Sequence, residues 1–458
     1  MTLFRRQAVR TLLLEAAVIV IGIATAVTII YFKTRPKPVH VERRLVGREQ
    51  NVSRNPRVQY APALALDPAQ PKLLLGGSSD GLADTRVYQS TDGGASWRSN
   101  PGPPLLRGNC RIALPAVAVT GTGRQIYVFS ATKFCDLPEP QVHVATRAGP
   151  TESWHVHAFL PVDGYARDEH FAAAALQQRV WVAWTRRPRE FSSALVGYLA
   201  WSSNGGASWS KPVRLPVPQP FALSLAPSRA GDLYLAAADG DDNTLVVLRS
   251  PDGGRTFGRP HTLASFTTPY DETCEGAPLP PQPQFCLPPS VHVVVDRANG
   301  VDVAWADVEP NQTDGLRFAR LSPQLRVLAR PHRLGPPDRE LSDQFDPSLA
   351  IDASDGALWA CYMDTFGDAY RHEAWPTCTL SMDEGRTWAA PIRVARVGSD
   401  ETQTASNLRG YGSTALVAAN GVAHAMWTDT REFTERSEEI YAASVPAQAL
   451  LHPPKPKS

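Results

Sequence analysis

Three aspartates each follow an aromatic residue by two positions: Trp305-Ala-Asp307, Tyr362-Met-Asp364 and Trp427-Thr-Asp429. Each closes an apolar stretch and opens a polar loop, and Asp239 ends a similar stretch earlier in the chain. Carboxylates repeated in this way around one axis could bind a cation or the hydroxyls of a sugar. The same residues could instead cap their own loops, each accepting from backbone N–H groups nearby. Spacing does not separate the two. No glycine-rich phosphate loop, nucleophilic serine elbow or metalloprotease helix accompanies them, so neither metal nor cofactor is expected. Lys and Arg number 46 against 45 Asp and Glu, a balance that gives no footprint for nucleic acid.

What must position these groups is an octet that occurs four times. Its copies are Ser90-Thr-Asp92-Gly-Gly94-Ala-Ser-Trp97, Ser202-Ser-Asn204-Gly-Gly206-Ala-Ser-Trp209, Ser250-Pro-Asp252-Gly-Gly254-Arg-Thr-Phe257 and Ser381-Met-Asp383-Glu-Gly385-Arg-Thr-Trp388. Asp or Asn can accept from backbone N–H groups, Gly supplies positive φ, and the aromatic pins the returning strand. Four copies imply a repeat architecture. Between them, short apolar runs alternate with Gly- and Asp-marked turns, as in Val291–Val295 followed by Val301–Trp305. Seven such units can be counted, and 41 Pro with 32 Gly suit many short strands rather than long helices.

The octet has the pattern of the Asp box, and from about Arg57 to Val445 the chain resembles the sialidase-like, BNR-repeat β-propeller superfamily. The expected fold is therefore all-β: a seven-bladed, alternatively six-bladed, propeller of four-stranded blades. The octets would mark the third-to-fourth strand turns, so function is expected on the opposite face. For an exo-α-sialidase the resemblance implies three arginines gripping a carboxylate sugar, a Tyr nucleophile helped by Glu, and an Asp acid/base. The family's first arginine lies in Phe/Tyr-Arg-Ile-Pro, whereas Val58-Gln-Tyr-Ala-Pro62 carries none. The nearest match is Cys110-Arg111-Ile112-Ala-Leu-Pro115. On this resemblance Arg111, Arg371 and Arg431 are the candidate forks, Asp168 the acid, Glu169 the helper, and Tyr411 or Tyr60 the nucleophile. His170 reads as their polar neighbour.

The chain divides into a cytoplasmic N-terminus (1–10), an anchor (11–32), a stalk (33–56), the propeller (57–446) and a tail (447–458). Thr11 to Phe32 is apolar but for Glu15 and follows Arg5, Arg6 and Arg10, as expected of a single transmembrane helix. A signal peptide cleaved near Ala24-Thr-Ala26 is the alternative. Val39 to Val46 is expected to supply the last blade's missing outer strand and so close the ring. Six cysteines fall as neighbours, Cys110 with Cys135, Cys274 with Cys286 and Cys361 with Cys378, and read as local disulfides formed outside the cytoplasm. The expectation is a monomeric, membrane-anchored extracytoplasmic propeller binding glycan or protein through its axial face. An active exo-glycosidase and a non-enzymatic assembly factor are the alternatives.

Overall fold

The computed structural model describes residues 45–452 apart from 56, 82–83, 105–109, 112–113, 133–140, 159–165, 189–194, 267–276, 280–281, 288–289, 309–312, 335–341, 401–413 and 432–437. The expected anchor and nearly all of the stalk lie outside the described residues. Among those described, no helix is long and apolar enough to cross a membrane.

Seven antiparallel sheets, each built on four strands that follow one another in the chain except in the last blade, form the blades. Their first strands are Gln59–Leu66, Ala116–Val119, Ala166–Leu176, Pro220–Pro227, Val291–Val295, Gln344–Ile351 and Thr414–Ala419, and each packs on the first strands of its neighbours until the circle closes. The blade count is thus seven and not six. A two-stranded hairpin, Ala277–Leu279 with Gln282–Leu287, is inserted between blades 4 and 5. Second strands such as Leu233–Asp239 and Leu358–Asp364 are buried along their whole length. They are flanked within the sheet and covered on both faces, which is why they read as continuous apolar runs rather than alternating ones.

Ring closure departs from expectation in its register along the chain. Blade 7 takes its outer strand from the N-terminal side, but the strand is Gln50–Asn51, paired with Ala442 and Tyr441. Of the expected Val39–Val46 stretch, residues 39–44 lie outside the described residues, while Leu45 and Val46 bridge Arg393 at the edge of blade 6. The Asn51 side chain donates to Glu439 at 2.6 Å, a sequence-distant tie that only the closed ring permits.

The four octets share one set of bonds. In blade 1 the Ser90 hydroxyl donates to Asp92 and accepts from the Gly94 N–H, both at 2.8 Å, and Asp92 accepts from the Ser96 N–H and hydroxyl. The same hydroxyl contacts recur around Ser202, Ser250 and Ser381. The glycine at the fifth position of each octet lies against the preceding blade. A Cβ at Gly94, Gly206, Gly254 or Gly385 would come within 2.7, 2.7, 2.8 or 2.3 Å of Ser444, Thr146, Leu199 or Phe318. Each octet therefore locks its blade to the one before, and the first locks blade 1 onto blade 7.

Cys361 and Cys378 face one another across the second and third strands of blade 6 and form a disulfide. Cys135 and Cys274 lie outside the described residues, as do the side chains of Cys110 and Cys286.

Candidate functional site

Opposite the octets, second strands end and first strands begin. On five blades the second strand finishes at or next to an aspartate: Asp80, Asp239, Asp307, Asp364 and Asp429. Three of these carry the aromatic signal read from the sequence, and Asp239 was marked there only as the end of an apolar run. Asp80 lacks it because Ser78, not an aromatic, stands two positions before. Asp239 accepts from the N–H groups of Gln219 and Asp241, Asp364 from that of Phe366, and Asp429 from that of Arg431. These three are buried and cap their loops; Asp307 is the partly exposed one. Among the described residues no three His, Cys, Asp or Glu side chains group as metal ligands.

First strands enter the ring through bulges that the sequence does not announce. In blades 1, 3 and 6 the pairing register shifts between Tyr60 and Ala63, Glu169 and Ala172, and Phe345 and Ser348. Inside each bulge stands a non-glycine residue with left-handed backbone: Ala61 at φ 54°, His170 at 51° and Asp346 at 49°. Such conformations are costly and cluster where geometry is functional. The only sequence trace was the shared Gln-aromatic-x-Pro of 59–62 and 344–347.

These bulges place three acids. Asp168 is buried, accepts from the Val142 N–H at 3.0 Å and faces Arg186 at 3.9 Å. Burial pushes its carboxyl up to about 6, against the pull of Arg186. Glu169 pairs with Arg187 at 2.9 Å, and His170 shares a bond with Thr185 at 2.9 Å. Asp346, which the sequence reading missed, is buried and pushed up to about 7 by burial, with the Ser290 hydroxyl opposing. One of its carboxyl oxygens meets no hydrogen-bond partner.

Two of the candidate arginines are held by carboxylates of their own. Arg431 makes a fork on Asp429, with bonds of 2.9 and 2.7 Å, pairs with Glu49 at 3.3 Å and lies 4.3 Å over the Tyr441 ring. Glu49 leads into the outer strand, so this guanidinium points to the rim of blade 7. Arg371 pairs with Asp343 at 3.0 Å beside the entry to blade 6. Arg111 joins blade 2 by backbone pairing with Ala131, while its side chain, like the whole of Tyr411, lies outside the described residues. Tyr60 sits at the blade 1 bulge, partly exposed.

At the axis is a cavity of about 330 Å³ to which all seven first strands contribute. Blades 4 to 7 present Ser224, His292, Ser348 and Thr414, whereas Phe171 of blade 3 gives an aromatic surface. Burial holds the His292 imidazole down to about 4, so it is neutral at physiological pH. A cavity with hydroxyls and imidazole on one side and an aromatic on the other suits a polyol that has an apolar face.

No family model matches the chain, and no curated protein matches it. Solved structures do. The lectin BP39L from Burkholderia pseudomallei superposes with a TM-score of 0.52 at 14% identity, covering 87% of this chain and 97% of that one. A GH93 α-L-arabinofuranosidase of Fusarium graminearum, in complex with arabinobiose, gives 0.50 at 9% identity, with 88% and 98% covered. The Hadza microbial sialidase Hz136 gives 0.47 at 14% identity, and this chain, matched over 86% of its length, spans 66% of that one. At such identities the likeness is one of fold alone, that of a β-propeller.

Proposed function

We propose that the chain is a glycan-binding propeller, anchored by Thr11–Phe32 with its ring outside the cytoplasm, and that it takes a neutral saccharide at the mouth of the axial cavity. The observation that carries this reading is that two of the candidate arginines are engaged by carboxylates of their own. Gripping a carboxylate sugar requires guanidinium forks that converge on one point. Arg431 has both arms of its fork on Asp429 and lies at the rim, and Arg371 is engaged by Asp343. Around the cavity, hydroxyl-bearing side chains and Phe171 supply what a neutral sugar needs, hydrogen bonds at its edge and contact at its face. Fold analogy supports the ligand class, since the lectin and the arabinobiose complex have the same architecture.

The chemistry of Asp168 favours a second reading, glycoside hydrolysis. A buried carboxyl near 6 retains part of its protonated form at neutral pH, as a general acid requires.

One experiment decides between them. The protein is applied to an array of neutral and sialylated glycans and to fluorogenic α-sialosides and neutral glycosides, with Asp168→Asn and Arg111→Ala alongside. Saturable binding to neutral glycans without turnover is expected. Turnover of an α-sialoside that is lost in Arg111→Ala would overturn the binder reading in favour of an exo-sialidase. Silence on the array together with a co-purifying membrane complex would point to the assembly factor.

A further inference from the structure

The seam where blade 7 meets blade 1 contains a second polar cluster, away from the axial cavity. In the second and third strands of blade 7, Met426 pairs with Ala442 and Thr428 with Ile440. Met426, Ile440 and Ala442 pack with Tyr88 and Leu64 of blade 1, so this face of the sheet is the one turned toward the seam. By strand alternation Thr428 and Glu438 lie on that face as well. From blade 1, a Cβ on Gly76 would touch Met426, and Gly76, Ser78 and Asp80 alternate onto the same side, with Gln59 paired to Asp80. The Glu438 carbonyl accepts from the Gln59 N–H at 2.7 Å, which brings the two blades together at this point.

Among the described residues, four side-chain oxygens here are buried and meet no hydrogen-bond partner: both of Glu438, the amide oxygen of Gln59 and the hydroxyl of Thr428. Their residues are 0%, 0% and 1% exposed, respectively for Glu438, Gln59 and Thr428. The orientation of the Gln59 amide is determined by its NH₂, which donates to the Arg57 carbonyl and to Asp80 at 3.1 Å. Its oxygen must therefore face the other way. Asp80 is already engaged by Asn55 and by Arg86, whose Nε lies 3.0 Å from it. Glu439 belongs to the opposite face and is bonded by Asn51. A carboxylate, an amide oxygen and a hydroxyl that no N–H reaches, contributed by three separate segments, are the kind of set that a hard cation takes, and burial without one is costly.

We infer that the blade 7–blade 1 seam is a binding site for a hard, oxygen-seeking divalent cation of the calcium type, held by Glu438, Gln59 and Thr428. Bound there, the ion ties the last blade to the first beside the closing strand Gln50–Asn51, whose pairing is only two residues long. The inference does not depend on the glycan reading.

Equilibrium dialysis of the full chain, freed of metal by a chelator, tests it with calcium, magnesium and sodium in separate arms, together with melting curves. The expected result is about one calcium per chain and a Tm that climbs with calcium concentration, as binding to the native state requires. Glu438→Gln should lower calcium affinity at least tenfold while melting in chelator no lower than the parent. Thr428→Val should weaken uptake less. Failure of all three cations to bind or to raise Tm would overturn the inference. So would uptake in both variants equal to that of the parent, since the ion would then sit elsewhere.

Discussion

The two faces of the ring solve one problem in opposite ways. On the octet face, blades 1, 3, 4 and 6 repeat the same Ser–Asp/Asn–Gly bonds, and the glycine at the fifth position of each octet meets the preceding blade. On the other face, five aspartates share one position at the second-strand ends, yet their partners differ. Asp80 takes Arg86, Asn55 and Gln59; Asp429 takes Arg431 and Trp427; Asp239 takes the backbone N–H groups of Gln219 and Asp241. The difference teaches that local backbone chemistry makes the repeat, whereas tertiary partners individualise it. Uniformity on one face is what leaves the other free to vary.

The largest test of that contrast is Arg431→Ala. Asp429 is buried, and removing its fork leaves a carboxylate without its counter-charge, a loss of about 4 kcal/mol. Chemical denaturation should show this loss, while glycan binding measured below the transition stays within twofold. Selective loss of ligand binding without destabilisation would instead return Arg431 to the axial site.

Gly385→Ala probes the octet face. Its φ is 79°, and the added Cβ would stand 2.3 Å from Phe318, so about 3 kcal/mol of destabilisation is expected. Gly421→Ala, at φ 75° with open space around it, should cost only about 1 kcal/mol. A double-mutant cycle with Phe318→Leu should recover part of the Gly385→Ala loss, which separates collision from backbone strain.

Asp346→Asn goes the other way. The folded protein holds the Asp346 proton up to about 7, while the unfolded chain releases it near 3.8. Between those values the native state binds more protons, so this group's contribution to stability falls as pH rises from about 4 to 7 and is level beyond. Asparagine cannot ionise. The variant should therefore gain on the order of 4 kcal/mol relative to the parent at pH 7.5, with little difference below pH 4. Equal pH slopes for both proteins would show that Asp346 is ionised in the fold.

Asp92→Ala is the smallest change, about 1 kcal/mol, because the octet turn is exposed and its bonds compete with water. The Ser96 hydroxyl and N–H hold Asp92 below the usual carboxylate range. Its contribution is present above about pH 3.8 and lost as pH falls further, so parent and variant should converge in acid.

Read from the amino-acid order alone, the fold was legible because its signals are local. Ser, Asp and Gly within eight residues bend the chain, and apolar runs of strand length lie between such turns. Seven four-stranded units followed from them, as did the need for an N-terminal outer strand. Its placement at Gln50–Asn51 did not, because pairing with Tyr441 and Ala442 depends on residues almost four hundred positions away. The candidate site was legible only in part. Aspartates at strand ends showed through their aromatic neighbours, but Asp80 and Asp346 did not, and the bulges around Ala61, His170 and Asp346 leave hardly a compositional trace. Only the tertiary structure decided that Arg431 turns to Glu49 at the rim and that Glu438 is sealed between the first and last blades. Turn chemistry acts over a few bonds and is written in the sequence. Burial and charge pairing act through space, and they exist once the ring has closed.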